Sequence, residues 1–104
     1  MGTYRINITD KAKQDILGIT AYITNELHEP AIAVKTVDAI LDAIYTLEEM
    51  PNRIGPVKDE RLAEMGIRPL YVKNYTVFFR IVESTQVVDI IRLLYSRRDW
   101  KVLI

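Results

Sequence analysis

Residues 76–95 read TVFFRIVESTQVVDIIRLLY, and this stretch decides the fold because it predicts a β-hairpin. Two runs rich in β-branched and aromatic residues, 76–82 and 87–95, flank the polar segment Glu83-Ser84-Thr85-Gln86. Long strands of this kind are joined by short polar turns. We therefore expect an antiparallel pair with its turn at Ser84 and Thr85.

The pairing of the two strands follows from that turn. It sets Arg80 opposite Asp89, and it sets aromatic side chains opposite β-branched ones, both of which stabilise an antiparallel pair. A slip by one residue would remove both matches. The expected pairs are Arg80 with Asp89, Phe78 with Ile91, Thr76 with Leu93, Ile81 with Val88, Phe79 with Ile90 and Val77 with Arg92.

Outward from the hairpin, the preceding chain predicts two more strands and two helices. Residues 70–72 begin a strand, and the alternation over residues 4–9 predicts another. Between them, apolar stripes at helical spacing run from residue 11 to Leu27 and from Pro30 to Leu47, and a proline suits a first helical turn. Residues 59–66 are expected to form one or two helical turns closed by Gly66.

The order of elements predicts the fold class. It reads β-α-α-β-β-β, which indicates an α+β domain with a helical hairpin packed on one face of a small, mostly antiparallel sheet. A chain of 104 residues has the size of one domain, so residues 1–104 are expected to fold around a single core.

Composition narrows the possible chemistry. The absence of cysteine excludes disulfides, thiolate metal sites and a cysteine nucleophile, and the single histidine, His28, leaves little for a zinc site or a histidine-based triad. We expect no metal and no cofactor. No apolar run is long enough to cross a membrane, and residues 1–5 lack the layout of a signal peptide, so a cytoplasmic location is expected.

The charge is unevenly distributed along the chain. Residues 1–50 contain four basic and eight acidic side chains, a net charge of −4, and residues 51–104 contain ten basic and six acidic ones, a net charge of +4. This asymmetry hints at an anionic partner for the second half, although acidic residues are interleaved there.

Four strings in order resemble the RelE/ParE superfamily of bacterial toxins. Residues 12–23, AKQDILGITAYI, are similar to the A-x-x-D-(L/I)-x-x-I-x-x-Y-I pattern of ParE-like members. Residues 47–51, LEEMP, resemble the L-x-x-x-P helix exit. Residues 66–80, GIRPLYVKNYTVFFR, and 88–99, VDIIRLLYSRRD, resemble the closing strands of the family. The likeness spans almost the whole chain.

The resemblance implies a toxin of a type II toxin–antitoxin system, of the kind associated with growth inhibition and plasmid stabilisation. Such a toxin is neutralised by a cognate antitoxin protein encoded by the adjacent gene. ParE-like members poison DNA gyrase, whereas RelE-like members are ribosome-dependent endoribonucleases that cleave mRNA in the ribosomal A site. A decayed member that only binds its antitoxin is a third reading.

The residues present favour the gyrase poison slightly. As a metal-free endoribonuclease, the chain would use Arg97, Arg68 and Tyr95 as catalytic residues. The third-strand arginine of the ribonucleases, however, falls near Thr76, and neither their C-terminal tyrosine nor a histidine occurs in residues 100–104. A general acid or base contributes typically 10²–10⁴-fold to such a reaction. A gyrase poison needs only a binding surface.

Two surfaces are predicted from the regular register. Arg97, Arg98 and Trp100 are the expected target-binding residues, with Arg97 on the sheet face away from the helices. That face also carries Phe78, Ile91 and Leu93, which we expect to bind the antitoxin because an uncovered apolar patch usually marks a partner site.

Structural readings stand beside these functional ones. Trp100 is alternatively a lid on the core, and Arg68 alternatively pairs with Asp59, Glu60 or Glu64. Arg92 is expected to bury its stem and keep its charged group in solvent. Asp99 is expected to pair with Arg97 or Arg98.

Overall fold

The computed structural model shows a four-stranded sheet with helices on both faces. It describes residues 3–98 and 100–104, but not the side chains of residues 101 and 102. A π-helical turn (Tyr22–Glu26) and two 3₁₀ turns (Thr46–Glu48 and Pro51–Arg53) lie between the main elements. Those elements are β1 (Arg5–Ile8), α1 (Asp10–Ala21), α2 (Pro30–Tyr45), α3 (Glu60–Glu64), β2 (Arg68–Val72), β3 (Tyr75–Val82), β4 (Val87–Tyr95) and α4 (Trp100–Leu103).

The sheet has the strand order β1-β4-β3-β2, with β1 parallel to β4 and the other two pairs antiparallel. The parallel pair follows from the connection, because the helical hairpin carries the chain across the sheet between β1 and the meander. The predicted α+β class with a mostly antiparallel sheet is confirmed.

Helix α1 begins where the sequence predicts. Thr9 caps it, since its hydroxyl oxygen accepts a hydrogen bond from the N–H of Ala12 at 3.3 Å. The helix then widens into the π-helical turn before Pro30, so the predicted apolar stripe faces the core only as far as Ile23. Leu27 is half exposed rather than buried.

The β3–β4 hairpin agrees with the predicted register in one half and departs from it in the other. Phe79 pairs with Ile90 and Arg80 with Asp89, as expected. A β-bulge then shifts the pairing, so that Phe78 lies opposite Arg92 instead of Ile91. The predicted pairs of Thr76 with Leu93 and Val77 with Arg92 are therefore wrong, because Thr76 faces Leu94 and Val77 faces Leu93.

The main core lies between the helical hairpin and the sheet. Its buried members come from α1, α2, the 3₁₀ turn after α2 and all strands except β1, and side chains from β1 pack against them. The fully buried residues at its centre are Ile40, Ile44, Leu47, Val77, Phe79, Val88 and Ile90.

A second apolar cluster covers part of the opposite face of the sheet. Leu62 of α3 packs there with Phe78 and Leu94, and Trp100, Leu103 and Ile104 close over the cluster. The expectation that this face is open is therefore wrong. The sequence did predict α3, which Asp59 caps and which Gly66 closes with a φ of 82°.

Candidate functional site at the end of strand β4

Two adjacent arginines follow β4 in an exposed turn. The turn is fixed by its backbone, since the N–H of Ser96 donates to the carbonyl of Asn74 at 2.8 Å and the N–H of Arg98 donates to that of Tyr95 at 3.0 Å. Arg97 and Arg98 are both exposed, and neither guanidinium has a hydrogen bond or ion pair with another described residue. The turn therefore presents two positive charges to solvent.

The predicted position of Arg97 on the sheet face depended on regular pairing, and that premise is wrong. β4 ends at Tyr95, so Arg97 lies in the turn that follows the strand. The bulge, in addition, exchanges the faces of the sheet on which the later side chains of β4 lie. The expected pairing of Asp99 with either arginine lies outside the described residues.

Trp100 is a partly buried lid on the second cluster. Its ring lies 5.1 Å from that of Phe78, measured between centroids, at an angle of 36°. The N–H of Ile104 donates to its carbonyl at 3.0 Å, which fixes the last turn of the chain. The structure thus places Trp100 in the core-lid arrangement, two residues beyond the exposed arginines.

Tyr95 is close to the arginines in sequence, and among the described residues its hydroxyl has no hydrogen bond to an acidic or basic side chain. Its ring makes an edge-to-face contact with Tyr75, with centroids 5.8 Å apart. Burial raises the pKa of the Tyr75 phenol, and the neighbouring Tyr95 and Tyr22 raise it further. Tyr75 itself is therefore a poorer general base near pH 7 than an ordinary tyrosine.

Arg68 does not join this site. It begins β2 and lies opposite Phe79, whereas the other end of β2 is the one close to Tyr95. The two ends of β2 are four residues apart, which is a distance of roughly 13 Å along the strand. The Arg68 guanidinium donates to the carbonyl of Ile54 instead of pairing with Asp59, Glu60 or Glu64. The three predicted catalytic residues are therefore not brought together.

The residues predicted to bind the antitoxin are largely inaccessible. Phe78 is 1% exposed beneath Trp100, and Leu93 is 2% exposed in the main core on the helix side. Ile91 is partly buried beside the second cluster. The bulge explains the error for Leu93, because one extra residue moves every following side chain to the opposite face.

A buried ion pair beside this site was missed by the sequence analysis. The Asp15 carboxylate accepts hydrogen bonds from Nε and one terminal nitrogen of Arg92, at 2.8 and 3.0 Å, and from the N–H of Leu93 at 2.9 Å. Both side chains are about 85% buried. Arg92 is therefore paired rather than exposed at its tip, and its pKa is raised, chiefly by the hydrogen bond to Asp15.

The sequence contained a signal for this pair. Asp15 lies three residues after Ala12 and four before Ile19, in the middle of the apolar stripe of α1. A carboxylate in a buried stripe requires a positive partner, and Arg92 is the basic residue within the apolar part of β4. The other terminal nitrogen of the Arg92 guanidinium donates to the carbonyl of Leu103 at 2.9 Å, so the ion pair is also linked to the C-terminal turn.

A groove of about 870 Å³ opens next to the arginine turn, between the helical hairpin and the end of β4. Gly18 and Tyr22 line one side, and Lys73, Tyr95 and Arg98 line the other. Among residues 3–98 and 100–104, no cluster of three or more histidine or acidic side chains offers a metal site. No helix in this part of the chain is long and apolar enough to cross a membrane.

Comparison with known proteins gives consistent results. A family model described as the ParE toxin of the type II toxin–antitoxin system, parDE, matches residues 6–100. No curated protein matched the chain. Of the solved structures, the chromosomal ParDE system from P. aeruginosa has a TM-score of 0.74 at 22% identity, covering 89% of this chain and 96% of that one.

Two further structures share the fold. The toxin–antitoxin complex RelBE2 from Mycobacterium tuberculosis has a TM-score of 0.66 at 22% identity, covering 91% of this chain and 93% of that one. A mutant of E. coli toxin RelE in the free state has a TM-score of 0.67 at 10% identity, covering 97% of this chain and 92% of that one. At these identities the likeness is one of fold.

Proposed function

The chain belongs to the ParE toxin family of type II toxin–antitoxin systems, and from that membership we propose that it arrests bacterial growth by binding DNA gyrase in the cytoplasm. The superfamily predicted from four sequence strings is confirmed by the family match. The gyrase target is what membership in the ParE group implies, and it is the proposed part of this function.

One observation carries the preference for a binding mechanism. The exposed arginines of the turn, Arg97 and Arg98, have no acid–base partner among the described residues around them. Arg68 is held at the far end of β2, where its guanidinium donates to the carbonyl of Ile54. A gyrase poison needs only the positive charges and a complementary surface, so this geometry suits it better than it suits a ribonuclease.

The alternative function is a RelE-like, metal-free mRNA endoribonuclease acting at the ribosome. The fold shared with E. coli RelE favours it, as does the position of Tyr95 two residues before Arg97. In that case Tyr95 would act on the 2′-hydroxyl and Arg97 would stabilise the charged transition state.

We also propose that a cognate antitoxin neutralises this toxin. The structures with related folds come from a ParDE toxin–antitoxin system and a RelBE2 toxin–antitoxin complex. The expected partner is the product of a short reading frame that adjoins this gene.

Induced expression in a bacterium tests the proposal. We expect growth arrest with induction of the SOS response and trapped gyrase–DNA cleavage complexes, and we expect co-expression of the adjoining reading frame to restore growth. Arrest with transcripts cut at ribosomal codons would instead establish the ribonuclease. Normal growth at verified protein levels would contradict both activities and leave an antitoxin-binding module.

A further inference from the structure

Two turns meet at one end of the sheet, and together they carry three cationic side chains. The β2–β3 turn contributes Lys73, and the arginine turn after β4 contributes Arg97 and Arg98. The last pair of the β3–β4 ladder joins Tyr75 to Tyr95. Lys73 and Arg97 each lie two residues beyond that pair, and neighbouring strands are about 4.8 Å apart. The three cations therefore share one surface, which we call the cationic surface.

Hydrogen bonds hold the two turns together. The N–H of Ser96 donates to the carbonyl of Asn74 at 2.8 Å, and the Ser96 hydroxyl is hydrogen-bonded to the buried hydroxyl of Thr76, also at 2.8 Å. Within the arginine turn, the N–H of Arg98 donates to the carbonyl of Tyr95 at 3.0 Å. The backbone that carries the charges is thus fixed before any partner binds, which lowers the entropic cost of binding.

The three cations are not neutralised by the described part of the chain. Lys73, Arg97 and Arg98 are exposed, and within residues 3–98 and 100–104 their side chains make no hydrogen bond or ion pair. Arg92, a few residues earlier on β4, is by contrast bonded to Asp15. Unpaired positive charges clustered on one rigid surface favour a polyanionic partner.

Neutral hydrogen-bond donors accompany these charges. Asn74 and Tyr95 are both exposed, and neither the Asn74 amide nor the Tyr95 hydroxyl is hydrogen-bonded to another described residue. Asparagine and tyrosine side chains, together with arginine and lysine, are among the groups that bond to phosphate and sugar in protein–DNA complexes. The core of a protein–protein interface is instead depleted in charged residues. The cationic surface therefore suits a nucleic-acid backbone better than it suits a protein.

The proposed function supplies a nucleic acid of the right kind. A gyrase poison acts on a complex of the enzyme with duplex DNA, and that duplex carries one negative charge per about 1.7 Å of its axis. Phosphate contacts require positive charge and donors but no general acid or base, whereas cleavage of RNA requires both. The absence of an acid–base partner for Tyr95 among the described residues agrees with the first kind of contact.

From these observations we propose that the cationic surface binds the phosphate backbone of duplex DNA, so that the toxin contacts the DNA of the gyrase complex as well as the enzyme. The contact is independent of sequence, because it reads no base edges. Three cations give only the affinity of non-specific binding, with a Kd of about 10⁻⁴–10⁻⁶ M at physiological salt, and gyrase strengthens the contact by holding the DNA in place. This inference rests on the proposed gyrase function.

Fluorescence anisotropy of a fluorescein-labelled DNA duplex, titrated with the full-length toxin alone, is the first test. We expect the logarithm of the association constant to fall linearly with the logarithm of the salt concentration, with a slope of about −2.7 for three neutralised phosphates. Duplexes of unrelated sequence should bind equally well. Absence of binding at low salt would overturn the proposal. Binding of a single-stranded RNA at least about tenfold more tightly would assign the surface to RNA and would also overturn it.

Single substitutions assign the binding to the cationic surface. Lys73→Gln and Arg97→Gln each remove one charge and should reduce the slope to about −1.8, whereas Lys73→Arg keeps the charge and should retain the wild-type slope. Lys35→Gln, at an exposed position on α2, is the matched control and should retain it as well. Circular dichroism establishes that each variant folds. Equal slopes for Lys73→Gln and Lys35→Gln would refute the assignment.

Assays with purified gyrase and plasmid DNA separate this inference from the proposed function. We expect Lys73→Gln to trap severalfold fewer cleavage complexes than the wild-type toxin, and Lys73→Arg to restore them, because a phosphate contact requires the charge. Trapping that is equally strong with Lys73→Gln would leave the gyrase function in place and contradict the DNA contact. DNA binding with the expected slope but without trapping would count against the gyrase target alone, since the anisotropy measurement contains no gyrase.

Discussion

At the scale of single residues, Asp15 joins α1 to strand β4. Its carboxylate accepts hydrogen bonds from the Arg92 guanidinium and from the N–H of Leu93, and its side chain is largely buried. A buried charge without its partner is costly, whereas an exposed pair contributes little. Arg80 and Asp89 provide the exposed comparison, since their charged atoms are 3.8 Å apart and the Arg80 side chain is 48% exposed.

Removing Asp15 should therefore destabilise the protein far more than removing Arg80. We expect Asp15→Ala to lower the free energy of unfolding by about 3–5 kcal/mol, because it strands the Arg92 guanidinium and the Leu93 N–H. We expect Arg80→Ala to lower it by about 1 kcal/mol or less. Urea titration followed by circular dichroism measures both, and equal losses would show that the Asp15 pair is not buried as described.

Arg97 is predicted to contribute to toxicity but not to folding. Its side chain is exposed and has no described partner, so Arg97→Ala should change the free energy of unfolding by only about 0.5 kcal/mol. We expect growth arrest to be lost while the antitoxin still binds. Arg5→Ala, at an exposed position on β1, is the matched control and should remain toxic. Full toxicity of Arg97→Ala would remove this residue from the target-binding surface.

At the scale of elements, the β-bulge in the hairpin determines which residues of β4 are accessible. Before it, Val88 and Ile90 face the helices. After it, Leu93 takes that role and Leu94 joins the opposite cluster. The same shift points the outward backbone groups of Leu93 and Tyr95 toward the groove.

Gly18 inside α1 and Gly66 just after α3 should respond oppositely to substitution by alanine. Gly18→Ala is expected to raise the free energy of unfolding by about 0.5–1 kcal/mol, because the site has room for a Cβ and the helix gains propensity. Gly66→Ala is expected to lower it by about 1–2 kcal/mol, because φ is 82° and Arg80 lies 3.4 Å from the new Cβ. Thermal melts of both variants check this, and destabilisation by Gly18→Ala would indicate a contact that α1 conceals.

At the scale of the whole molecule, two apolar clusters share one sheet and are connected through Arg92. This residue bonds to Asp15 on α1 and to the carbonyl of Leu103 in the last turn. The C-terminal turn is thereby tied to the same ion pair as the helical hairpin. The molecule is therefore expected to unfold as one cooperative unit.

The single tryptophan makes that expectation measurable. Trp100 fluorescence reports the second cluster, whereas far-ultraviolet circular dichroism is dominated by the helices of the main core. We expect the two urea transitions of the wild-type protein to coincide. In Arg92→Met, which removes both the ion pair with Asp15 and the bond to Leu103, both transitions should move together to lower urea concentration. Non-coincident transitions in the wild type would show that the C-terminal turn unfolds separately.

The sequence alone predicted the elements of this protein and its family. Periodicity and capping signals placed both main helices, α3 and the three strands of the meander, because these depend on local preferences. The half of the hairpin nearest the turn was also correct, since Arg80 and Asp89 fix it from nearby. Most residues of the strings 12–23, 66–80 and 88–99 lie in these elements, whereas the string 47–51 follows α2, and the family match confirms the resemblance.

Tertiary structure alone decided which faces are covered and which residues meet. A single extra residue at the bulge reverses the faces of β4, and no local preference at Ile91 requires it. The cover formed by α3 and Trp100, and the pairing of Asp15 with Arg92, join residues far apart in sequence. Such contacts depend on how whole elements pack. The hairpin at residues 76–95 therefore predicts the sheet, but only the folded molecule shows which side chains of β4 are covered.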